Sequence, residues 1–303
     1  MKLRKLMPFV KVGVSVAAIS LVLSMSDREK VLDILASLNW WFLVIPFLLL
    51  QLQTLLSTLK WRLILRHEGE DIHYWFLAKT YFIGNFFSLF LPSSIGGDFY
   101  RVMLLKGRIN NAKKSTSSVL FERLTGLFAL LCLALIGAYL VLDDQGKLAF
   151  TGVFIAFVLG YFLGLVVLKK IGETPYKIIN FLRGIGASLL GYSVHGGLLT
   201  KSLVISLVFQ TMIIAINFLY CTALVFDIAI GDLFVIVPLA YITDMIPISI
   251  NGIGVRDSAF AFLFHEFNYP IEYAFTLSLL IVGMRYISAF SVGGVLFLLS
   301  RGK

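Results

Sequence analysis

The chain has 303 residues, of which 59% are hydrophobic and only 14% charged, and it carries a formal net charge of +9. A soluble domain has about 25% charged residues, so this composition excludes a soluble globular protein and describes an integral membrane one. The basic excess lies in loops beside apolar segments, where the positive-inside rule and anionic lipid account for it better than nucleic acid does.

The N-terminus, MKLRK followed by an apolar run to Met25, has the outline of a signal peptide. The polytopic pattern that follows favours an uncleaved first helix, with Lys11 reaching back to the interface. A spanning helix needs about 20 apolar residues. Six segments qualify: 6–25, 41–59, 119–142, 148–168, 203–226 and 274–299. Two shorter ones, 76–91 and 233–246, are about 24 and 21 Å long at 1.5 Å per residue. Each runs into a helix-breaking stretch and then a short apolar return, 99–105 and 258–264.

Those breaks are copies of one motif. Residues 92–101 read PSSIGGDFYR and residues 247–256 read PISINGIGVR; both fit P-x-S-x-[GN]-G-x-x-x-R at an offset of 155. Loop charge decides how the two units sit. If both turn back within the membrane, 19 Lys and Arg residues fall on the N-terminal side and three on the other; if both cross once, the split is ten against twelve. The positive-inside rule selects the first arrangement. It places both termini in the cytoplasm of a cell-membrane protein. Residues 1–142 and 148–303 then form two inverted repeats within one membrane domain. The expected fold is all-α, with six spanning helices and two re-entrant helical hairpins meeting near the midplane.

Smaller features have structural readings. Trp40, Trp41, Trp61, Tyr74 and Trp75 lie at segment ends, as an aromatic belt does. Gly160 and Gly164 pack one helix on a neighbour. Residues 176–200 form an interfacial helix. Cys132 and Cys221 act as small hydrophobes. His67, His73, His195 and His265 show no ligand spacing, and no nucleotide motif occurs, so neither metal nor cofactor is expected.

A helix that stops inside a membrane leaves backbone groups that lipid cannot satisfy. Pro92 and Pro247 stop the helices, while Gly96, Gly97, Gly252 and Gly254 permit tight turns. Ser93, Ser94, Ser249 and Asn251 offer short polar groups. Each restarted helix presents N–H groups suited to an anion, and Arg101 and Arg256 add geometry suited to phosphate. Asp98, Glu122, Arg123, Asp244, Asp257 and Arg285 also lie in or near apolar segments. Four acids thus face four arginines, as structural salt bridges or as substrate contacts. Asp244 has no basic neighbour in sequence and is the proton-coupling candidate.

Three elements, LPSSIGGDFYR at 91–101, ERLTG at 122–126 and IPISINGIGVRD at 246–257, together resemble the flippase-like family related to the transmembrane region of lysylphosphatidylglycerol synthases. Asp257 stands where that family usually has Glu. The resemblance implies handling of lipid or polyprenyl-linked substrates. No synthase domain follows within these residues, so aminoacyl transfer is not expected of the chain alone. The leading expectation is a non-enzymatic flippase for an anionic lipid, with the membrane lipid as its partner and a homo-oligomer as a possible assembly. An intramembrane enzyme acting on a lipid phosphate, or a carrier of small solutes or ions, are the alternatives.

Overall fold

The structure, a computed structural model, describes residues 27–90, 95–170, 172, 174–245 and 254–301. All regular structure among them is helical. In chain order the helices are α1 (Arg28–Ala36), a 3-10 turn (Trp40–Leu43), α2 (Val44–His67), α3 (Tyr74–Ser88), α4 (Ile95–Ile109), α5 (Ala112–Val141) and α6 (Asp144–Lys170). There follow α7 (Lys177–Val194), α8 (Gly196–Ala223), α9 (Ile230–Asp244), α10 (Val255–Glu266), α11 (Ile271–Ser288), a π-helical turn (Ala289–Gly294) and α12 (Val295–Arg301).

Five stretches are long and apolar enough to cross a membrane: Trp40–His67, Ala112–Val141, Asp144–Lys170, Gly196–Ala223 and Ile271–Ser300. They coincide with five of the six expected spans. The expected span at 6–25 lies outside the described residues, as do Pro92, Ser93, Ser94, Pro247, Ser249, Asn251 and Gly252. The helices overrun their apolar segments because polar faces are buried too. α2 continues about two turns past residue 59 and buries Lys60, and α5 opens with buried Ser115, Ser117 and Ser118.

Between the spans lie two pairs of short helices, α3 with α4 and α9 with α10, each pair packed together. Three of these helices have 15 residues and α10 has 12. At 1.5 Å per residue they measure about 18–22 Å, short of a hydrocarbon core of about 30 Å. α3 and α9 both end a few residues before a proline, where the backbone is biased out of the helical region.

Two crossings bring backbones into contact. α9 lies on α5 so closely that a Cβ at Gly137 would fall 2.6 Å from the carbonyl carbon of Phe234. α3 lies on the last span in the same manner, with Gly293 of the π-helical turn against the Phe82 carbonyl oxygen. Other contacts run in matching pairs: α1 packs on α11 and α7 on α5, while α2 and α8 pack on each other. The largest apolar core gathers Tyr220, Leu233, Ile236, Phe260, Phe264 and Leu277 from α8 to α11.

α7 covers most of the helix expected at 176–200, with Gly186 backed against Leu168. α6 departs from expectation. Leu165 is its sole buried residue, and Gly160 and Gly164 have no other described atom within reach of a Cβ. The packing read from their spacing is therefore not made to another described helix of this chain. Its i,i+4 spacing keeps both glycines on one helical face, and that face is turned outward.

Candidate functional site

The first charge cluster is built where α3, α4 and α5 converge. α4 starts at Ile95, so Gly96 and Gly97 occupy its first turn. A Cβ at Gly97 would lie 2.6 Å from the Gly84 carbonyl oxygen, so only glycine lets α3 and α4 come this close. One turn later Arg101 enters the interior with 1% of its surface exposed. Its Nη1 donates to Asp98 Oδ1 at 3.2 Å and its Nη2 to Glu122 Oε2. The guanidinium carbon lies 3.8 Å from the Tyr81 ring centre and 4.2 Å from that of Trp61. Such aromatic faces stabilise a cation by about 2 kcal/mol when desolvated. Tyr81 donates its hydroxyl to Glu122 Oε1 at 2.9 Å, and Trp61 Nε1 donates to Ser118 Oγ at 3.1 Å. Arg123 completes the group, with Nε and Nη2 on the two Asp98 oxygens at 2.8 and 3.0 Å.

The second cluster is built by α9, α10 and α11. Gly254 caps α10 at φ +88°, a left-handed conformation that favours glycine. Its N–H donates to Asp257 Oδ2 at 3.0 Å, while Asp257 Oδ1 accepts from Arg256 Nη2 at 3.1 Å. Arg256 is fully buried and also reaches Asp244 Oδ2 at 3.5 Å. The same oxygen accepts from Arg285 Nη2 at 2.8 Å.

The eight charges singled out in the sequence therefore sort into two quartets, each with two arginines and two carboxylates and no net charge. Asp98 and Asp257 also sit in the first turns of α4 and α10, where the helix dipole favours a negative charge. Asp244 is corrected: it lacks a basic neighbour in sequence, but Arg285 comes to it from 41 residues away. The unpaired carboxylate that would have suited proton coupling is an ion-paired one. Trp61 is corrected as well. Trp40, Trp41 and Trp75 are exposed as a belt requires, but Trp61 is fully buried against Arg101.

Sequence reasoning missed three contributors: Lys60, Trp61 and Tyr81. Lys60 directly follows the apolar run at 41–59 and so reads from sequence as one of the N-terminal-side loop charges. Nothing local distinguishes Tyr81 from the other aromatics of its helix. His67 and His195 also meet, with ring centres 4.5 Å apart, although no spacing joins them. Among the described residues no three His, Cys, Asp or Glu side chains gather as a metal site.

Residues 9–293 match the family described as the lysylphosphatidylglycerol synthase TM region. A UPF0104 membrane protein of Archaeoglobus fulgidus is 28% identical over 111 residues, which cover 37% of this chain. The chain spans about a third of the length of that curated relative, 34%. No solved structure matches. With the family match running across nearly all of the sequence and through both quartets, the chain belongs to the lysylphosphatidylglycerol synthase transmembrane-region family.

Proposed function

We propose that this protein is a flippase that carries an anionic lipid between the leaflets, with the phosphate of its head group passing the two quartets. The observation that carries this reading is an asymmetry within each quartet. Arg101 and Arg256 are sealed in, whereas the side chains of Arg123 and Arg285 are 46% and 34% exposed. Arg123 lies about 17 Å along α5 and Arg285 about 21 Å along the last span, at 1.5 Å per residue. A charge turned to lipid at such depth costs about 2.5–3.5 kcal/mol or more. An open arginine edge there is better accommodated by a crevice that admits water and head groups.

In this reading Arg101 and Arg256 hold the carboxylates in place, and Arg123 and Arg285 make the first contact with phosphate. A phosphate oxygen arriving at Arg123 displaces Asp98, which keeps Arg101 as its partner. Gly96, Gly97, Gly252 and Gly254 let backbone N–H groups approach the head group, and Ser93, Ser94, Ser249 and Asn251 add polar contacts. Six spans and two re-entrant hairpins, in inverted halves 1–142 and 148–303, supply the alternating access. Motif recurrence, the four short helices and the reciprocal glycine crossings support that arrangement. The loop charges support cytoplasmic termini in a cell membrane.

The test is translocation of a fluorescent phosphatidylglycerol in proteoliposomes, read by dithionite quenching. The unsubstituted protein is expected to accelerate it over empty vesicles. Arg123→Gln and Arg285→Gln should each reduce the rate at least about tenfold, the equivalent of 1.4 kcal/mol. Recovery of chemically unchanged lipid separates transport from an enzymatic reaction. Full activity in both variants overturns the assignment of the two arginines.

A further inference from the structure

Lys60 belongs to neither quartet. It lies in the stretch Trp40–His67, which is long and apolar enough to cross a membrane, is 4% exposed, and has no carboxylate within ion-pair distance among the described residues. Its Nζ donates to the Glu122 backbone carbonyl at 3.0 Å and to Ser206 Oγ at 2.9 Å. Both acceptors are neutral. Two acceptors match the two N–H groups of an uncharged amine, and among the described residues the third N–H of an ammonium finds no partner. Every arginine in the quartets, by contrast, rests on a carboxylate.

The position of Lys60 gives its proton leverage. It sits where α2 and α5 meet α8, and Ser206 belongs to α8. The charged side chains acting on it are Glu122 and Arg123 from α5 and Arg101 from α4; α8 brings the Ser206 hydroxyl. On α3, Tyr81 directs its hydroxyl to Glu122. A proton added to the Nζ lone pair creates an ammonium that attracts the Glu122 carboxylate and repels Arg101 and Arg123. The carboxylate is then shared between Lys60 and Arg101, and the hold of the quartet on Arg101 weakens. Loss of the proton restores the compact arrangement.

We infer that Lys60 is the proton-binding group of the transport cycle, taking a proton from water on one side and releasing it to water on the other when α2, α5 and α8 rearrange. The inference rests on the lipid-transport reading for its purpose, but the protonation event is measurable without transport. Trp61 stacks on Arg101 next to Lys60, so its emission reports the quartet once Trp40, Trp41 and Trp75, all exposed, are replaced by Phe. In vesicles this protein should show a one-proton transition within about pH 5–10. Lys60→Met and Lys60→Arg should abolish it. In the translocation assay, a proton gradient should accelerate transport of fluorescent phosphatidylglycerol by about fivefold or more. Lys60→Met and Lys60→Arg should lose the acceleration.

An absent transition, or one that persists in Lys60→Met, overturns the inference. Acceleration that survives in both variants overturns the coupling role. A Lys60-dependent transition in a protein that moves no lipid leaves the proton site standing and overturns the lipid reading instead. If Lys60→Met does not fold, Lys60→Gln, which keeps a donor for both acceptors, serves in its place.

Discussion

Arg101 illustrates how much of a buried charge is upheld by neighbours that no local pattern announces. Its carboxylate partners, Asp98 and Glu122, sit one and about six turns away along the chain, and both were among the charges singled out in the sequence. Trp61 and Tyr81, which form the walls of the guanidinium site, were not. Their role depends on a junction of four helices, α2 to α5, that the sequence does not display. Glu122 is the member on which most depends, because it takes Arg101, Tyr81 and, through its backbone, Lys60. Glu122→Gln leaves a buried arginine short of a counter-charge. Removing one partner of a buried pair costs about 3–5 kcal/mol, so thermal unfolding in detergent should fall well below that of the unsubstituted protein. Adding Arg101→Met should return most of the loss, since Asp98 and Arg123 remain a neutral pair. Coupling of this kind between the two sites is what a double-mutant cycle reads.

At the level of elements, the two pairs of short helices were legible from the helix-breaking motifs and the length of the apolar runs. α3 and α9 lie close to the expected segments, and the returning helices exist, though longer than the apolar pieces that revealed them. The longer returns arise because α4 also carries charged residues, among them Arg101 and Arg108 over the Tyr81 and Phe76 rings of α3, and apolarity alone undercounts such a helix. The glycines in the hairpin differ sharply in what they do. Gly97→Ala puts a Cβ 2.6 Å from the Gly84 carbonyl oxygen and should force α3 and α4 apart, at a cost of about 1–3 kcal/mol. Gly107→Ala, on the same helix with no described atom within 4 Å, should be neutral or stabilise by about 1 kcal/mol. Comparing the two by chemical denaturation separates close approach from helix propensity. Gly160 and Gly164 show the limit of spacing as a guide: it identifies a face that can pack but not what covers it.

For the whole molecule, the structure amends the loop-charge argument at two residues. Lys60 and Arg101, two of the 19 charges assigned to the N-terminal side, are buried helical residues, and removing them from the count leaves the imbalance intact. Its consequence is directly testable by labelling single cysteines with an impermeant maleimide, after Cys132 and Cys221 are replaced by Ser. His73→Cys and Asn110→Cys flank the first hairpin and should label from the same side, opposite to Asp144→Cys. Ala229→Cys and Asn268→Cys flank the second hairpin and should label together with Asp144→Cys. Labelling of positions 73 and 110 from opposite sides would mean that the first unit crosses the membrane, and the inverted arrangement would fall.

The two glycine crossings bear on which parts of the molecule travel as one piece. Phe82 of the first hairpin is seated against Gly293 of the last span, and Phe234 of the second hairpin against Gly137 of α5. Each hairpin is thus gripped by the half of the chain to which it does not belong. Pulling the sequence halves apart as two shells would unseat both grips at once. The units that shift without breaking a backbone contact are exchanged ones: α3 riding with the last span, and α9 riding with α5. In the proposed transport cycle the gearing is interleaved, and the parts that move do not follow the boundary between the two copies of the sequence motif.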